Sequence, residues 1–445
     1  MKKLQLTHGV RGAVRAVMSH QGLQALVLAL AIVVPWSASA QAMTLPGMNL
    51  TQHCQTLYGS TAFSYLQQPN PTAFSWKCWH QSQSKNMDLN RACRDQYKHY
   101  VNGVEIEEGY EAAYQNYSDP YSWYCVLRNP YATAQVPSYK PELYLWKGRK
   151  IALRTPDRTT CTTPQIQHIV TGIDKGVDFY AEVTGDDPPQ HLHYDELNSL
   201  AVLPSGAALP CVGVACGYRG FTGVEFKFEV FRDQMCPDAA AGVHDSTPYY
   251  ELGRNYWFYE TKLSSNEANY GHSIRTGYAV AMRFLAMSYE GLSGNSAHNT
   301  LYTQLLGLVD TYRTTTVACG TSGATTTPTT PGGSTCYRYD WSNTLRANSG
   351  LAGRSSPDLF ASIVFRLHRQ HGWNFINNVW KEAATLSNVT SPFHAADNFV
   401  FAASRAAGVN LADVFQNSWR WPLSSSARTQ LQSELGSPVS VTPYH

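Results

Sequence analysis

The sequence lacks the signatures of several common functional classes. Its 34 Lys and Arg residues, against 32 Asp and Glu, are scattered along the chain, so no basic surface of the kind that binds nucleic acid is indicated. There is no G-x-S-x-G nucleophile turn, no phosphate-binding loop and no paired C-x-x-C spacing for zinc. Beyond residue 40, no apolar run approaches the roughly 20 residues needed to cross a membrane. We therefore expect no nucleic-acid partner, no cofactor and no integral membrane segment in the mature chain.

The first 40 residues have the pattern of a secretory signal peptide. Basic residues that include Arg11 and Arg15 precede an apolar run over residues 23–36, and residues 37–40 (Ser-Ala-Ser-Ala) offer small side chains for cleavage. This pattern predicts a protein that is secreted into the periplasm or the extracellular space, with the mature chain beginning near Gln41.

All ten cysteines lie beyond the signal segment. An even number of cysteines in an exported chain favours disulfide bonds, because an oxidising compartment forms and preserves them. A metal cluster is the alternative, and the missing C-x-x-C pairs count against it. Sequence proximity predicts two local bonds, Cys211–Cys216 and Cys319–Cys336. The ten are Cys54, Cys78, Cys93, Cys125, Cys161, Cys211, Cys216, Cys236, Cys319 and Cys336.

Residues 41–128 contain an internal repeat. The pattern C-x3-Y followed by S-W-x-C runs first from Cys54 to Cys78 and again from Cys93 to Cys125. Each copy is too small to bury a core without a cross-link, so one disulfide-rich module with two related halves is predicted. One bond per half, Cys54–Cys78 and Cys93–Cys125, fits the repeat, although four cysteines allow three pairings. The many aromatic residues of the module either shield the two bonds, which we favour, or form a surface for sugars or peptides.

The rest of the chain predicts an α+β fold with a mixed sheet and a helical C-terminal half. Residues 129–150, whose first part is rich in Pro, Ala and Ser, are expected to be a linker, and residues 151–435 a second domain followed by a tail at 436–445. Apolar periodicity predicts a helix over 164–180, strands over 200–203 and 223–231, and a helix that starts at Ser356. Residues 320–335, all Thr, Gly, Pro, Ser and Ala, predict a surface loop without a fixed structure.

The segment 248–260, Pro-Tyr-Tyr-Glu-Leu-Gly-Arg-Asn-Tyr-Trp-Phe-Tyr-Glu, carries the clearest chemical signal. It resembles the metal-binding helix of zincin peptidases, H-E-x-x-H, in which two histidines four residues apart hold zinc and the Glu polarises a water. Tyr250 and Arg254 stand at the two histidine positions, and Glu251 stands where the general base would be.

Further short motifs resemble the C-terminal helical subdomain of the enhancin-like, or M60-like, peptidases. They are residues 371–375 (HGWNF), 397–400 (DNFV), 408–415 (GVNLADVF) and 419–422 (WRWP), in that order. The resemblance spans about residues 160–435. It implies a zincin-like domain with a central motif helix, in a family of extracellular proteins that act on glycoproteins such as mucins.

The departure from the zincin motif predicts a damaged metal site. Without both imidazoles most affinity for zinc is lost, and Arg254 adds a permanent cation three residues from Glu251. We therefore expect no metal, with Glu251 as the candidate catalytic residue and Tyr250, Arg254, Trp257 and His244 as candidate substrate-binding residues. The alternative is a purely structural amphipathic helix. A second stretch, His-x-His-x-Asp-Glu at 191–196, would suit a metal only as a strand, and a solvated loop is favoured.

The leading functional prediction is a secreted peptidase relative that is catalytically silent at its metal site and binds extracellular glycans or glycoproteins. Two alternatives stay open. One is an active extracellular hydrolase that uses Glu251 with an unconventional site, and the other is an envelope structural or adhesion protein that uses the aromatic module.

Overall fold

The computed structural model describes residues 44–45, 48–97, 99–101, 104–106, 109–135, 138, 140–265, 267–325 and 335–445. At 44–45, 99–101 and 104–106 it describes the backbone alone. The predicted signal peptide and residues 326–334 of the predicted Thr-rich loop lie outside these ranges.

The N-terminal module consists of short antiparallel sheets and two short helices. Strands β2, β3 and β4 form one three-stranded sheet, and β1, β8 and β7 form a second in that order. A separate pair, β5 and β6, lies between them in sequence. The elements are β1 (Thr44–Leu45), α1 (Leu50–Tyr58), β2 (Phe63–Leu66), β3 (Trp76–His80), β4 (Gln83–Asn86), α2 (Leu89–Tyr97), β5 (His99–Val101), β6 (Val104–Ile106), β7 (Tyr110–Tyr114) and β8 (Trp123–Leu127).

The sequence repeat corresponds to two structurally related halves. The strand that precedes each helix pairs with the S-W-x-C strand of the other half: β4, before α2, pairs with β3, and β1, before α1, pairs with β8. The indole N–H of Trp76 donates to the carbonyl oxygen of Pro120 at 2.6 Å, and that of Trp123 donates to the carbonyl oxygen of Ala73. The tryptophan side chain of each half is therefore held by a backbone carbonyl group of the other half.

A six-stranded mixed sheet follows, and it supports the candidate site. Its order is β13-β14-β12-β10-β9, with β11 paired to β12. Strands β10, β12 and β14 are parallel to one another, whereas the edge strands β13 and β9 are antiparallel to their neighbours. The strands are β9 (Tyr144–Lys147), β10 (Ile151–Thr155), β11 (His193–Tyr194), β12 (Leu197–Leu203), β13 (Ala215–Gly217) and β14 (Val224–Lys227).

Helices cover this sheet and form the C-terminal half. They are α3 (Thr163–Thr184), α4 (Phe228–Val230), α5 (Cys236–Ala240), α6 (Thr247–Asn255), α7 (Glu260–Leu263), α8 (Ala268–Tyr289), α9 (Ser296–Leu306), α10 (Leu308–Thr314), α11 (Ser356–Thr385), α12 (Pro392–Ala407) and α13 (Ser425–Leu435). Two short strands, β15 (Thr316–Val317) and β16 (Cys336–Tyr337), pair at the neck of the Thr-rich loop. None of the helices in the described ranges has the length and apolarity required to span a bilayer.

The strand predicted over 223–231 is wrong beyond Lys227. The chain turns helical at α4 and continues through a π-helical segment, Phe231–Met235, into α5. The same apolar residues fit a helix, since Val230, Phe231 and Met235 are all buried in the helical form. Alternation over a few residues does not separate the two structures.

The ranges expected to be a linker and a tail both contain buried contacts. Residues 129–150 include strand β9, in which Trp146 is 1% exposed. At the other end, Tyr444 is buried and its carbonyl oxygen accepts a hydrogen bond from Arg366 at 3.1 Å. Tyr110 and Leu127 of the module belong to the same hydrophobic core as Trp146.

All ten cysteines form disulfide bonds, and no cysteine is free. The pairs are Cys54–Cys78, Cys93–Cys125, Cys161–Cys236, Cys211–Cys216 and Cys319–Cys336. Four of them coincide with the pairs that the sequence predicts. In the module, each bond joins a helix to the S-W-x-C strand of its own half.

Helix α6 is held closely between the edge strand β13 and helix α8. A Cβ atom on Gly217 of β13 would lie 2.4 Å from the carbonyl oxygen of Glu251 in α6. On the other side, a Cβ on Gly253 would lie 2.9 Å from the Cα of Ala279 in α8. These two glycines let the backbones approach, which fixes the position of Glu251 against the sheet edge.

We predict that Gly253→Ala lowers the free energy of unfolding by about 1–3 kcal/mol, because the added methyl group must displace α8 or α6. Urea denaturation of the purified protein measures this change. Gly307→Ala is the matched control, since Gly307 lies at φ −91° with nothing within 4 Å of its added Cβ. Equal stability of the two variants would contradict the close packing of α6 on α8.

Candidate functional site

Local contacts fix where α6, the helix that carries Glu251, begins and ends. It begins at Thr247 with Pro248 in its first turn, where the missing N–H of proline costs nothing. Asp245 accepts a hydrogen bond from the backbone N–H of Thr247 at 2.9 Å, and this contact fixes the entry of the chain. The helix ends at Asn255, whose side chain donates to the backbone oxygens of Tyr218 and Gly223.

A cavity of about 760 Å³ opens over the exposed side of α6. One wall is the loop closed by the Cys211–Cys216 bond together with strand β13. Another part of the cavity wall consists of one imidazole and three aromatic rings, those of His191, Tyr218, Phe221 and Tyr250. Three guanidinium groups reach the cavity, those of Arg219, Arg254 and Arg283, whereas Glu251 supplies the one carboxylate among the described residues that line it.

The carboxylate of Glu251 is nearly buried and already has its partners. Glu251 is 5% exposed, and its Oε2 accepts a hydrogen bond from the backbone N–H of Gly217 at 2.7 Å. The Nε of Arg254 lies 3.4 Å from the same oxygen. Burial raises the pKa of Glu251, while Arg254 and the Gly217 N–H oppose that rise. Glu251 and Arg254, three residues apart on α6, therefore form an ion pair.

Arg254 is itself oriented by its helix neighbour one turn earlier. Its Nη2 donates to the hydroxyl oxygen of Tyr250 at 2.8 Å, and its guanidinium carbon lies 5.1 Å from the centre of the Tyr250 ring. The side chain of Arg254 is 28% exposed, so one side of this cation still faces the cavity.

These residues do not fit a zinc ion. Burial raises the pKa of Tyr250, which disfavours the phenolate that could bind a metal. Arg254 has no lone pair to offer and repels a cation. Within the described part of the chain, no group of three His, Cys, Asp or Glu side chains is arranged to hold a metal. The chemistry available here is hydrogen bonding, charge pairing and ring stacking.

The other sequence-predicted site residues fall in different places. Trp257 is 3% exposed and donates its indole N–H to Glu260 at 2.7 Å, so it lies in the core and not on the cavity wall. His244 lies away from the cavity and stacks on His168, with ring centres 4.0 Å apart. Burial, helped by His168, lowers the pKa of His244 to about 4.

The His-x-His-x-Asp-Glu segment divides between two environments. His191 reaches the cavity, where its ring packs edge-on against Tyr218 at 4.7 Å. His193 points elsewhere, and its Nδ1 lies 2.7 Å from the carbonyl oxygen of Asp195. The two histidines therefore do not form a common site.

Sequence reasoning missed Arg283 and Tyr218. Arg283 lies on α8, 29 residues beyond Arg254, and only the packing of α8 against α6 brings it to the cavity. Tyr218 is positioned by the fully buried Glu225, whose carboxylate also accepts hydrogen bonds from Tyr131 and the backbone of Ala134. No local motif connects these positions, so a pattern search along the chain has nothing to detect.

No known protein family and no curated protein matches this sequence. Similar solved structures include a functionally unknown conserved protein from Bacillus anthracis str. Ames, with 12% identity, 68% of this chain and 54% of that chain covered, and a TM-score of 0.44. The catalytic module of the metalloprotease ZmpA from Clostridium perfringens is similar at 10% identity, with 69% and 50% covered and a TM-score of 0.40.

A third similar structure is the M60 catalytic domain of Clostridium perfringens ZmpC in complex with the sialyl T antigen. It has 12% identity, 91% of this chain and 81% of that chain covered, and a TM-score of 0.42. The chain spans about half the length of the first two structures. With TM-scores below 0.5, what this cavity does has to be inferred from its own residues.

We predict that Arg254→Met lowers the free energy of unfolding by about 2 kcal/mol. Breaking a fully buried pair costs about 3–5 kcal/mol and an exposed pair below about 1, and this pair, with Glu251 buried and Arg254 partly exposed, lies between them. The double change Glu251→Gln with Arg254→Met should cost less than Arg254→Met alone, because no buried charge is then left unpaired.

Urea denaturation of the two single variants and the double variant measures the coupling. Arg232→Met is the control, since the Arg232–Asp233 pair is about half exposed on both sides and its loss should change stability little. Strictly additive losses for Glu251 and Arg254 would show that the two side chains are not coupled.

Proposed function

We propose that this chain is a secreted, zincin-derived binding protein whose cavity holds an extracellular glycan or glycoprotein without cleaving it. The observation that carries the proposal is the pairing of Glu251 with Arg254 at the base of the cavity. A zincin would have a zinc ion beside this carboxylate. Here the guanidinium of Arg254, which stands at the second histidine position of the motif, lies beside it.

The composition of the cavity supports ligand binding. About 760 Å³ is within the range of small-molecule and sugar sites. The half-exposed ring of Phe221 and the partly exposed rings of Tyr218 and Tyr250 provide stacking faces. The guanidinium groups and backbone groups of the rim provide hydrogen-bond donors and acceptors. Five disulfide bonds fit an oxidising, extracellular environment.

The edge strand argues against a peptidase-like mode of binding. A peptide can extend a sheet by pairing with the free groups of an edge strand. In β13, the N–H of Gly217 is already used by Glu251, and a Cβ at this position would collide with α6. The Gly217 N–H is therefore not available to a ligand. A ligand in the cavity would contact side chains and the loop closed by the Cys211–Cys216 bond.

We predict that the purified protein is retained on immobilised mucin and leaves the mucin intact after prolonged incubation, as judged by gel electrophoresis. Phe221→Ala, which removes a half-exposed ring from the cavity wall, should weaken retention by about fivefold or more, as stacking contacts contribute about 1–3 kcal/mol. Tyr121→Ala is the matched control, since Tyr121 is 74% exposed in the N-terminal module.

The same two variants separate the alternatives. Loss of retention in Tyr121→Ala with normal retention in Phe221→Ala would favour the adhesion function of the aromatic module. Cleavage of mucin by the wild-type protein that Glu251→Gln abolishes would favour the hydrolase and would contradict our proposal.

We also predict that zinc binding can be rebuilt. Tyr250→His with Arg254→His restores the H-E-x-x-H spacing, and Arg283→Glu adds a third ligand from α8, where the Arg283 guanidinium carbon lies 5.6 Å from the Tyr250 ring centre. The triple variant should take up about one zinc per chain, because three protein ligands suffice for a zinc site.

Atomic absorption after dialysis measures the bound zinc, and circular dichroism verifies that the variant is folded. The variant with two histidines and Arg283 unchanged is the control and should bind zinc much more weakly. A folded triple variant that takes up no zinc would contradict the derivation of this site from a zincin.

A further inference from the structure

Arg283, which reaches the cavity from α8, has no counterion among the residues that the structure describes. Its side chain makes no hydrogen bond or ion pair with any described residue, and its Nε is buried without a partner. By contrast, Arg149, Arg275, Arg346 and Arg405 each pair with a carboxylate. Arg283 is a partly buried cation on the wall of the cavity. Asp358 and Asp245 act on its charge from a distance, but no described carboxylate forms an ion pair with it.

Two aromatic rings hold this guanidinium in place. Its central carbon lies 4.7 Å from the centre of the Phe284 ring and 5.6 Å from that of Tyr250. Stacking of this kind fixes the plane of a guanidinium and leaves its edge, which carries the N–H donors, free to bind. The guanidinium carbon of Arg254 lies 5.1 Å from the centre of the same Tyr250 ring, so both cations contact one side chain of the cavity wall.

The charge balance of the cavity is positive. Arg219, Arg254 and Arg283 contribute three positive charges, and Glu251 contributes one negative charge that Arg254 already pairs with. Arg219 is exposed and, like Arg283, has no ion pair with a described residue. A ligand that brings a negative charge would compensate Arg283 and gain charge-assisted hydrogen bonds in a partly desolvated place.

We propose that Arg283 is the centre of an anion subsite that binds a carboxylate group of the ligand, with Arg254 as its neighbour. This inference rests on the proposed function and adds that the glycan or glycoprotein ligand carries an acidic group. The carboxylate belongs either to an acidic sugar or to an acidic side chain of the glycoprotein. Both sources present the same planar, bidentate acceptor to a guanidinium.

Glucuronate and glucose are matched probes that differ in one carboxylate. We expect the protein to bind glucuronate at least about tenfold more tightly than glucose, in line with a charge-assisted hydrogen-bond pair, as measured by titration calorimetry. Arg283→Met should abolish this preference. Arg283→Lys, which keeps the charge but loses the planar fork, should restore part of it, and the surface control Arg232→Met should leave it unchanged.

Retention on three forms of mucin then identifies the source of the carboxylate: untreated mucin, mucin without its acidic sugars, and mucin with all carboxyl groups methyl-esterified. If retention falls when acidic sugars alone are removed, the carboxylate is on the glycan. If retention falls only after methyl esterification of all carboxyl groups, it is on the polypeptide. In either case Arg283→Met should no longer respond to the treatment.

Equal affinity of the wild type for glucuronate and glucose would overturn the anion subsite, as would an unchanged preference in Arg283→Met. Failure of the proposed function gives a different result. In that case mucin is not retained at all, while glucuronate still binds in a manner that depends on Arg283.

Discussion

The structure depends on compensating a carboxylate that is buried at the edge of a sheet. Glu251 enters a space where α6 and β13 are too close for any side chain at Gly217, so little water can reach it. An isolated charge there would be costly, and the Gly217 N–H and the Arg254 guanidinium both reduce that cost. Arg254 lies on α6 with Glu251, whereas Gly217 lies on β13, so the hydrogen bond from the Gly217 N–H holds α6 at one distance from β13 on this side of the cavity.

This arrangement changes what the cavity can do. A carboxylate that polarises a metal-bound water needs a metal beside it, and the side chains around Glu251 are a phenol and a guanidinium, which are poor zinc ligands. The cavity beside Glu251 is wide, has partly exposed rings and carries the positive charge of three guanidinium groups. A site of this composition favours recognition of an acidic ligand over hydrolysis, and the outer disulfide loop, Cys211–Cys216, gives the rim a fixed shape.

Local features of the fold could be predicted from the sequence, whereas contacts made across the chain could not. The motif helix, the Glu251–Arg254 pair and the helix starting at Ser356 follow from spacing and capping over a few residues, and the structure contains all three. Strand β9, Tyr-Leu-Trp-Lys, follows a stretch rich in Pro and Ala, and four residues without alternation give little signal of a strand. The apolar residues after Lys227 fit both the strand and the helix period, so their spacing does not distinguish the two. Arg283 could not be found, since its role depends on how α8 packs against α6.

We propose that the guanidinium of Arg254, and not a metal ion, compensates the charge of Glu251. The most direct test is the zinc content of the purified wild-type protein after exposure to excess zinc and dialysis, measured by mass spectrometry of the intact folded chain and by elemental analysis. The account predicts far less than one zinc per chain, with no change in melting temperature on addition of zinc. One tightly bound zinc per chain, lost when Glu251 or Tyr250 is replaced, would contradict it.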